Sequence, residues 1–404
     1  MNKKIILINN PAIEMVQGFH SNGIASGIKK NGNHDLGVVF FDKECDGFGM
    51  FTTNKVKAAP VLVSKKHIKN KIRALFVNSG NANACTGESG FNDAINICKE
   101  IGESFNIPYT SVIPMSTGVI GQRLPTTVIK NGIIKISKII NEPNDNQFVK
   151  AIMTTDTKMK IYGVKVKTEN YEYSVIGCAK GSGMIHPNMA TMLGFIFSDA
   201  VISKSMANKA FRSSIDKSFN SITVDGDTST NDSVFLFNSN CANNKPITSS
   251  NADYKLYEEA VQMVASQLAR KIVEDGEGAT KLVEVEVKGA KNIKQAKQAA
   301  FSVATSSLVK TAFYGEDANW GRIVCAIGYS GIPCKPENIK LYFDNLLLFK
   351  NGEPTTFNEA DASKILKKTE FKVTVDLGIG NKSWTVWTTD LTNEYIRINA
   401  NYRS

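Results

Sequence analysis

The stretch Lys180-Gly-Ser-Gly-Met-Ile-His-Pro-Asn-Met-Ala-Thr-Met-Leu-Gly194 constrains this chain more than any other. Gly181 and Gly183, one residue apart, admit backbone shapes that a Cβ forbids. Pro187 sets a turn shortly before a hydroxyl residue, Thr191. The run Leu193-Gly-Phe-Ile-Phe197 then reads as a buried strand. A threonine thus stands at the mouth of a buried strand, behind a loop able to carry strain. Two readings stand at this point. In one, Thr191 merely opens a strand, a common place for a β-branched residue. In the other, its Oγ attacks the carbonyl of Ala190, the peptide becomes an ester, and water splits it. Thr191 then begins a new chain, and its α-amine, with a reference pKa of ~7.7–8.0, can take the hydroxyl proton. The small side chain of Ala190 leaves the scissile carbonyl accessible.

A chain of 404 residues exceeds one ordinary compact core, so two domains are expected. The texture changes near Leu282, where Val283-Glu-Val-Glu-Val287 alternates as a half-exposed strand does. This gives a larger domain over 1–282, holding the predicted cut, and a smaller α+β domain over 283–404. The seven cysteines form no C-x-x-C pair, which argues against a zinc ribbon or a disulfide framework and suits a reducing cytosol. No apolar run is long enough to span a bilayer, and the one at the amino end stops at Ile8, too short for a secretory signal. The expected location is the cytoplasm. The formal net charge of +10 comes from lysines spread along the chain, with no arginine-rich arm, so neither nucleic acid nor membrane is an expected partner.

Other polar stretches bracket the central one. Residues 73–77 read as a short buried strand running into the polar loop Asn78-Ser-Gly-Asn-Ala-Asn-Ala-Cys-Thr-Gly87, with a helix over 93–105. Such a loop either holds a ligand or is an ordinary connection. Asn54 and Pro60 read as loop residues, and 295–308 as one helix. In Ser116-Thr-Gly118, a threonine hydroxyl beside a glycine N–H can receive an oxyanion, although a plain turn has the same letters. Thr223-Val-Asp-Gly-Asp-Thr-Ser-Thr-Asn-Asp232 lacks the closing Glu of a calcium loop and reads as a polar active-site or turn loop, not a metal site. No phosphate-loop, zinc-protease or dinucleotide motif is present. His186 is the one histidine inside a motif, and it reads as a loop residue.

With these residues assembled, the chain resembles the ornithine acetyltransferase family, the glutamate N-acetyltransferases of arginine biosynthesis. The likeness covers essentially the whole length. Its most specific piece is Met184-Ile-His-Pro-Asn-Met-Ala-Thr-Met-Leu193. Val77–Gly87, Ser116–Gly121, Met153–Thr157, Asp275-Gly-Glu-Gly-Ala-Thr-Lys281 and the Arg-Ile-Asn tail follow the family pattern in order. Met159, Ala318, Asn401 and Ser404 depart from it, standing where Pro, Pro, Asp and Thr are usual.

The resemblance implies a layered helix/sheet sandwich with a smaller carboxy-terminal α+β domain. It implies self-cleavage between Ala190 and Thr191 into chains 1–190 and 191–404, which stay together as an α2β2 assembly. Thr191 is then the nucleophile, and Thr117 and Gly118 match the oxyanion pair. Thr157 (with Thr154 the other candidate), Lys180, Thr191, Glu277, Asn399 and Ser404 match substrate-contact positions. The implied reaction moves acetyl from N-acetylornithine to glutamate with no metal or cofactor, and some family members also accept acetyl-CoA. Gly118→Val is expected to slow transfer without unfolding the protein. Two other functions remain open: an aminopeptidase or amidase with the same self-cut threonine, and a non-catalytic basic binding protein with an inert Thr191.

Overall fold

The computed structural model describes residues 4–186 and 192–401, in two compact units. One gathers residues 4–181, 192–220 and 227–272; the other gathers 182–186, 221–226 and 273–401.

The first unit contains strands β1 (Ile5–Leu7), β2 (Phe19–Ile24), β3 (Leu36–Phe51), β4 (Ile72–Asn81), β5 (Val112–Val119), β6 (Lys160–Lys167), β7 (Glu172–Lys180), β8 (Leu193–Ser198) and β9 (Ser233–Asn238). Its helices are α1 (Ala59–His67), α2 (Gly87–Phe105), α3 (Thr126–Ile139), α4 (Gln147–Ile152), α5 (Lys204–Asp216) and most of α6 (Ala252–Glu274). The strands run in the order β1-β6-β7-β8-β9-β3-β4-β5, with β2 also on β3. The 16-residue β3 organises this sheet. Its first half pairs with β2 and β4, its last six residues pair with β9, and a register irregularity separates the two parts. An irregularity of this kind bends a strand and raises its twist.

The two parts of the sheet pack face to face across a phenylalanine core. Phe19 meets Phe197 at 5.1 Å between ring centroids, and Phe41 meets Phe237 at 5.0 Å. Side chains alternate across a strand. Val39 and Phe41 therefore enter this core, while Leu36 and Val38 join Ile97, Cys98 and Ile101 of α2 and Ile129, Ile133 and Ile136 of α3. On the outer face of β7, Gly177 lies under α6, where an added Cβ would come within 2.8 Å of Leu268 and 2.9 Å of Val264. The layers are thus helix, sheet, sheet and helix, which bears out the expected sandwich. Strands covered on both faces read as continuous apolar runs, and β8 is buried at every position, as expected for 193–197.

The second unit holds β10 (Leu282–Ala290), α7 (Ile293–Ala304), α8 (Ser307–Tyr314), α9 (Trp320–Gly328), β11 (Lys340–Phe343), β12 (Leu346–Lys350), β13 (Glu353–Pro354), α10 (Glu359–Leu366), β14 (Glu370–Asp376), β15 (Lys382–Thr389) and α11 (Asn393–Ala400). The sheet order is β13-β12-β11-β14-β10-β15. Val283, Val285 and Val287 point into a core with Ala296, Ala299, Ala300 and Val303 of α7. Glu284 and Glu286 point the other way and both pair with Lys372, at 3.0 and 3.1 Å.

Three local expectations change. Residues 54–61 are not all loop: Pro60 sits in the first turn of α1, where its missing N–H costs nothing. The strand expected over 73–77 runs on to Asn81, because β5 pairs with its polar residues as well. The helix expected over 295–308 is two, since Ser306 leaves the helix and accepts the Val309 N–H to start α8.

Candidate active site

In the first unit, the parallel register of β4 and β5 places Ser79 beside Thr117 and Gly80 beside Gly118. Gly118 has φ +134°, and a Cβ there would lie 2.3 Å from the Gly80 carbonyl carbon. Only glycine fits such a contact. The sequence-based expectation for Gly118→Val is therefore corrected: the added side chain meets backbone. We expect even Gly118→Ala to lose at least about 2 kcal/mol. A thermal melt of the purified variant checks this, and an unchanged midpoint would contradict it.

The polar stretch 78–87, its first four residues in β4, spends most of its side-chain hydrogen bonds on backbone. Asn81 Nδ2 donates to the carbonyls of Gln122 (3.3 Å) and Arg123 (3.0 Å), and Asn83 Nδ2 donates to Gly90 O. Ser116 Oγ donates to Asn78 Oδ1 at 2.6 Å. The loop thus braces the end of β5, as a connection does.

Lys180 is the last residue of β7 and is 3% exposed. Its Nζ donates to Thr117 Oγ1 at 3.2 Å. The antiparallel register sets Lys180 opposite Leu193, two residues beyond Thr191 in sequence. Asp156 anchors this corner. Its Oδ1 accepts from Lys160 Nζ (2.6 Å) and the Gly181 N–H (2.7 Å), and its Oδ2 accepts from the Thr154 N–H (2.9 Å). Burial alone would raise the Asp156 carboxyl, but the Lys180 and Lys160 ammoniums and the Gly181 N–H outweigh it and hold it at about 2. Nearby, Lys29 Nζ donates to the His34 and Met153 carbonyls, both at 2.7 Å. Burial lowers Lys29 to about 8, with Asp35 opposing and Lys180 assisting.

The sign of the Asp156 effect follows from linkage. Its folded pKa lies below the unfolded 3.8, so the ionised form stabilises the fold above about pH 4 and the effect is lost as pH falls through 2. The shift corresponds to about 2 kcal/mol. We expect Asp156→Asn to be less stable than the parent at pH 7 and the gap to narrow below pH 4. Urea melts across that range test it; a gap constant down to pH 2 would contradict it.

Asp232 precedes β9 and is fully buried. Its Oδ1 accepts the Met192 N–H at 3.0 Å, and its Oδ2 has no hydrogen-bond partner among the described residues. Burial holds the carboxyl well above the usual range, against the Met192 N–H, Lys180 and, last, the Ser229 N–H.

In the second unit, Glu277 and Asn399 meet: Asn399 Nδ2 donates to Glu277 Oε2 at 3.0 Å. Glu277 is 8% exposed and lies against Gly183, where a Cβ would come 2.3 Å from its Oε2. The Glu277 N–H donates to Ser182 O, and Ser182 Oγ donates to Asp275 O. Met184 takes φ +58°, a left-handed conformation that costs a non-glycine residue energy. Asp225 holds it there, accepting the Met184 N–H (2.6 Å) and the Ile185 N–H (2.9 Å). The strain expected of this loop thus falls on Met184. His186 packs edge-on against Phe301, with Nδ1 3.3 Å from Thr223 Oγ1. Within the described residues the tail forms α11, capped by Thr392 and carrying Tyr395, whose hydroxyl donates to Asp225.

The structure therefore brings together Thr117, Gly118 and Lys180, and separately Glu277 and Asn399. Thr157 is exposed in the turn after Asp156, and Thr154 is partly buried. Ala190, Thr191 and Ser404 lie outside the described residues. Sequence reasoning missed the roles of Asp156 and Asp232 although both stood inside quoted stretches. A carboxylate among hydroxyl residues gives no sign of which partner lies far along the chain. Chemically, the first group offers a hydroxyl, a glycine backbone and an ammonium; the second offers a carboxylate and an amide.

Comparison with known proteins places the chain among the acetyltransferases of arginine biosynthesis. The model of the ArgJ family matches residues 20–404. The arginine biosynthesis bifunctional protein ArgJ of Thermotoga neapolitana is 46% identical over 396 residues, 96% of this chain and 99% of that protein. ArgJ 1 of Clostridium acetobutylicum is 44% identical over 405 residues, 99% of each. A crystal structure of the Bacillus halodurans ArgJ protein, 46% identical, aligns with a TM-score of 0.51, covering 52% of this chain and all of that one. The chain belongs to the ArgJ family.

Proposed function

We propose that the enzyme transfers acetyl from N-acetylornithine to glutamate through an ester on Thr191. Self-cleavage comes first: Thr191 Oγ attacks the Ala190 carbonyl, the C–N bond breaks, and the Oγ proton passes to the nitrogen. Water then hydrolyses the ester, leaving Ala190 as a carboxylate and Thr191 as a chain start. In turnover, the Thr191 amine takes the Oγ proton while Oγ attacks the acetyl carbonyl. The Thr117 hydroxyl and the Gly118 N–H receive the oxyanion. Ornithine leaves with the proton, and glutamate's amine attacks the acetyl ester to give N-acetylglutamate.

The observation that carries this reading is the buried Lys180 ammonium 3.2 Å from Thr117 Oγ1, on the strand registered against the one that follows Thr191. An ammonium in that place suits the α-carboxylate shared by donor and acceptor. Thr157, Glu277, Asn399 and Ser404 complete substrate contact in this reading, with Glu277 facing the cationic side chain of ornithine. The word "bifunctional" in the relatives' names supports acetyl-CoA as a second donor to glutamate. The two cut chains remain together and pair as α2β2. Among the described residues no helix is long and apolar enough to cross a membrane, and we place the enzyme in the cytoplasm.

Initial rates with both substrates varied test the mechanism. Parallel double-reciprocal lines are expected of an exchange through an acetyl-enzyme. Intersecting lines would contradict it, and acetate release without acetylglutamate would favour a hydrolase.

A further inference from the structure

The loop Ser229–Asp232 takes no part in the chemistry above, yet Ser229, Thr230, Asn231 and Asp232 are all buried. Asn231 Nδ2 donates to two carbonyls, Ala82 O at 2.7 Å and Ser116 O at 2.8 Å. The second is the carbonyl of the Ser116–Thr117 peptide, so the amide fixes the plane that carries the Thr117 N–H. Its own oxygen is held by Thr230 Oγ1 at 2.6 Å, which sets the direction of the donors. The next residue, Asp232, accepts the Met192 N–H at 3.0 Å, and Ser233 returns its N–H to Met192 O at 3.2 Å. Thr52 N–H binds the Asp232 carbonyl at 2.9 Å, tying the loop to the residue after β3. Two adjacent side chains thus grip the end of β5 and the start of β8.

We propose that Asn231 and Asp232 are positioning residues that set the separation between the Ser116–Thr117 peptide, which leads into Gly118, and the strand beginning after Thr191. Neither is placed in contact with substrate. Catalysis by fixed donors is steep in distance, and small misplacements cost large factors. Freeing the Ser116 carbonyl and Met192 would loosen the backbone that carries Thr117 and the residue that follows Thr191, while leaving Lys180, Glu277 and Asn399 to bind substrate. The proposal rests on the Thr191 ester reading.

The test compares Asn231→Ala, Asn231→Asp, Thr230→Val, Asp232→Ala and Asp232→Asn with the parent. Extent of chain cleavage, kcat and KM for the donor, and melting midpoint are measured on each. Losing one buried, doubly used amide is expected to lower kcat about 10- to 100-fold in Asn231→Ala. Asn231→Asp keeps the size but not the donors and should lose as much. Thr230→Val should fall between these variants and the parent. Asp232→Asn keeps an oxygen for Met192 and should recover most of what Asp232→Ala loses. KM is expected to stay within about threefold, as for an interaction made through positioning rather than binding. A rise in KM at unchanged kcat, or a kcat loss in Asp232→Asn equal to that in Asp232→Ala, would overturn the proposal. If Asn231→Ala fails to fold, Thr230→Val and Asp232→Asn still decide it. A parent chain that is neither cut nor able to transfer acetyl would sink the ester reading itself; a cut, active parent with an unaffected Asn231→Ala would sink only the positioning role.

Discussion

Thr191→Ala is expected to leave one full-length chain and to lower acetyl transfer on the order of 10⁴-fold or more, as removal of a nucleophile does in other acyl-transferring enzymes. Both losses share one cause. Without Oγ, no ester forms with Ala190, no free α-amine appears at position 191, and no acetyl can be held between donor and acceptor. Thr191→Ser keeps an Oγ and should retain the cut and part of the transfer. Intact mass and a coupled ornithine assay read the two effects separately. Cleavage without transfer would limit Thr191 to maturation; normal transfer in Thr191→Ala would refute its role altogether.

The second large effect is expected at Lys180. Its ammonium contacts Thr117 Oγ1, favours the Asp156 carboxylate and acts on the buried Asp232. Lys180→Met removes a cation that the Asp156 carboxylate needs. Breaking a buried charge pair from one side costs about 3–5 kcal/mol, and the retained Lys160 contact brings the expectation for Asp156 to the lower end. Activity should fall by about 10²-fold or more in kcat/KM, because the substrate carboxylate loses a charge-assisted partner. Lys180→Arg keeps the charge in a shape that does not match a Thr hydroxyl at 3.2 Å, and should recover stability more than activity. Equal recovery of both would contradict the assignment of Lys180 to substrate binding.

The sequence made some of this legible and hid the rest for physical reasons. β8 was readable because a strand covered on both faces has no polar alternation, and Val283 to Val287 because one face is covered and one is not. The continuation of β4 to Asn81 was hidden: Asn78, Ser79 and Asn81 are poor strand formers held there by pairing with β5. Lys180 and Thr117 are 63 residues apart and meet only through the register of the sheet. The family resemblance named both residues, but no spacing rule joined them. Asn231 and Asp232 read only as part of a polar active-site or turn loop, with no role of their own, because their partners, Ser116 O and Met192 N–H, are backbone groups that leave no trace in the letters. Gly118 was read as an open donor; the closeness of Gly80, which makes it intolerant of any side chain, is a tertiary fact.

The most direct measurement is to mix the purified enzyme with N-acetylornithine alone, quench, digest and weigh the peptides. One added acetyl group on the peptide beginning Thr191-Met-Leu-Gly, released on adding glutamate, is the predicted result. An acetyl found only elsewhere, or none on that peptide while transfer runs normally, would contradict the account.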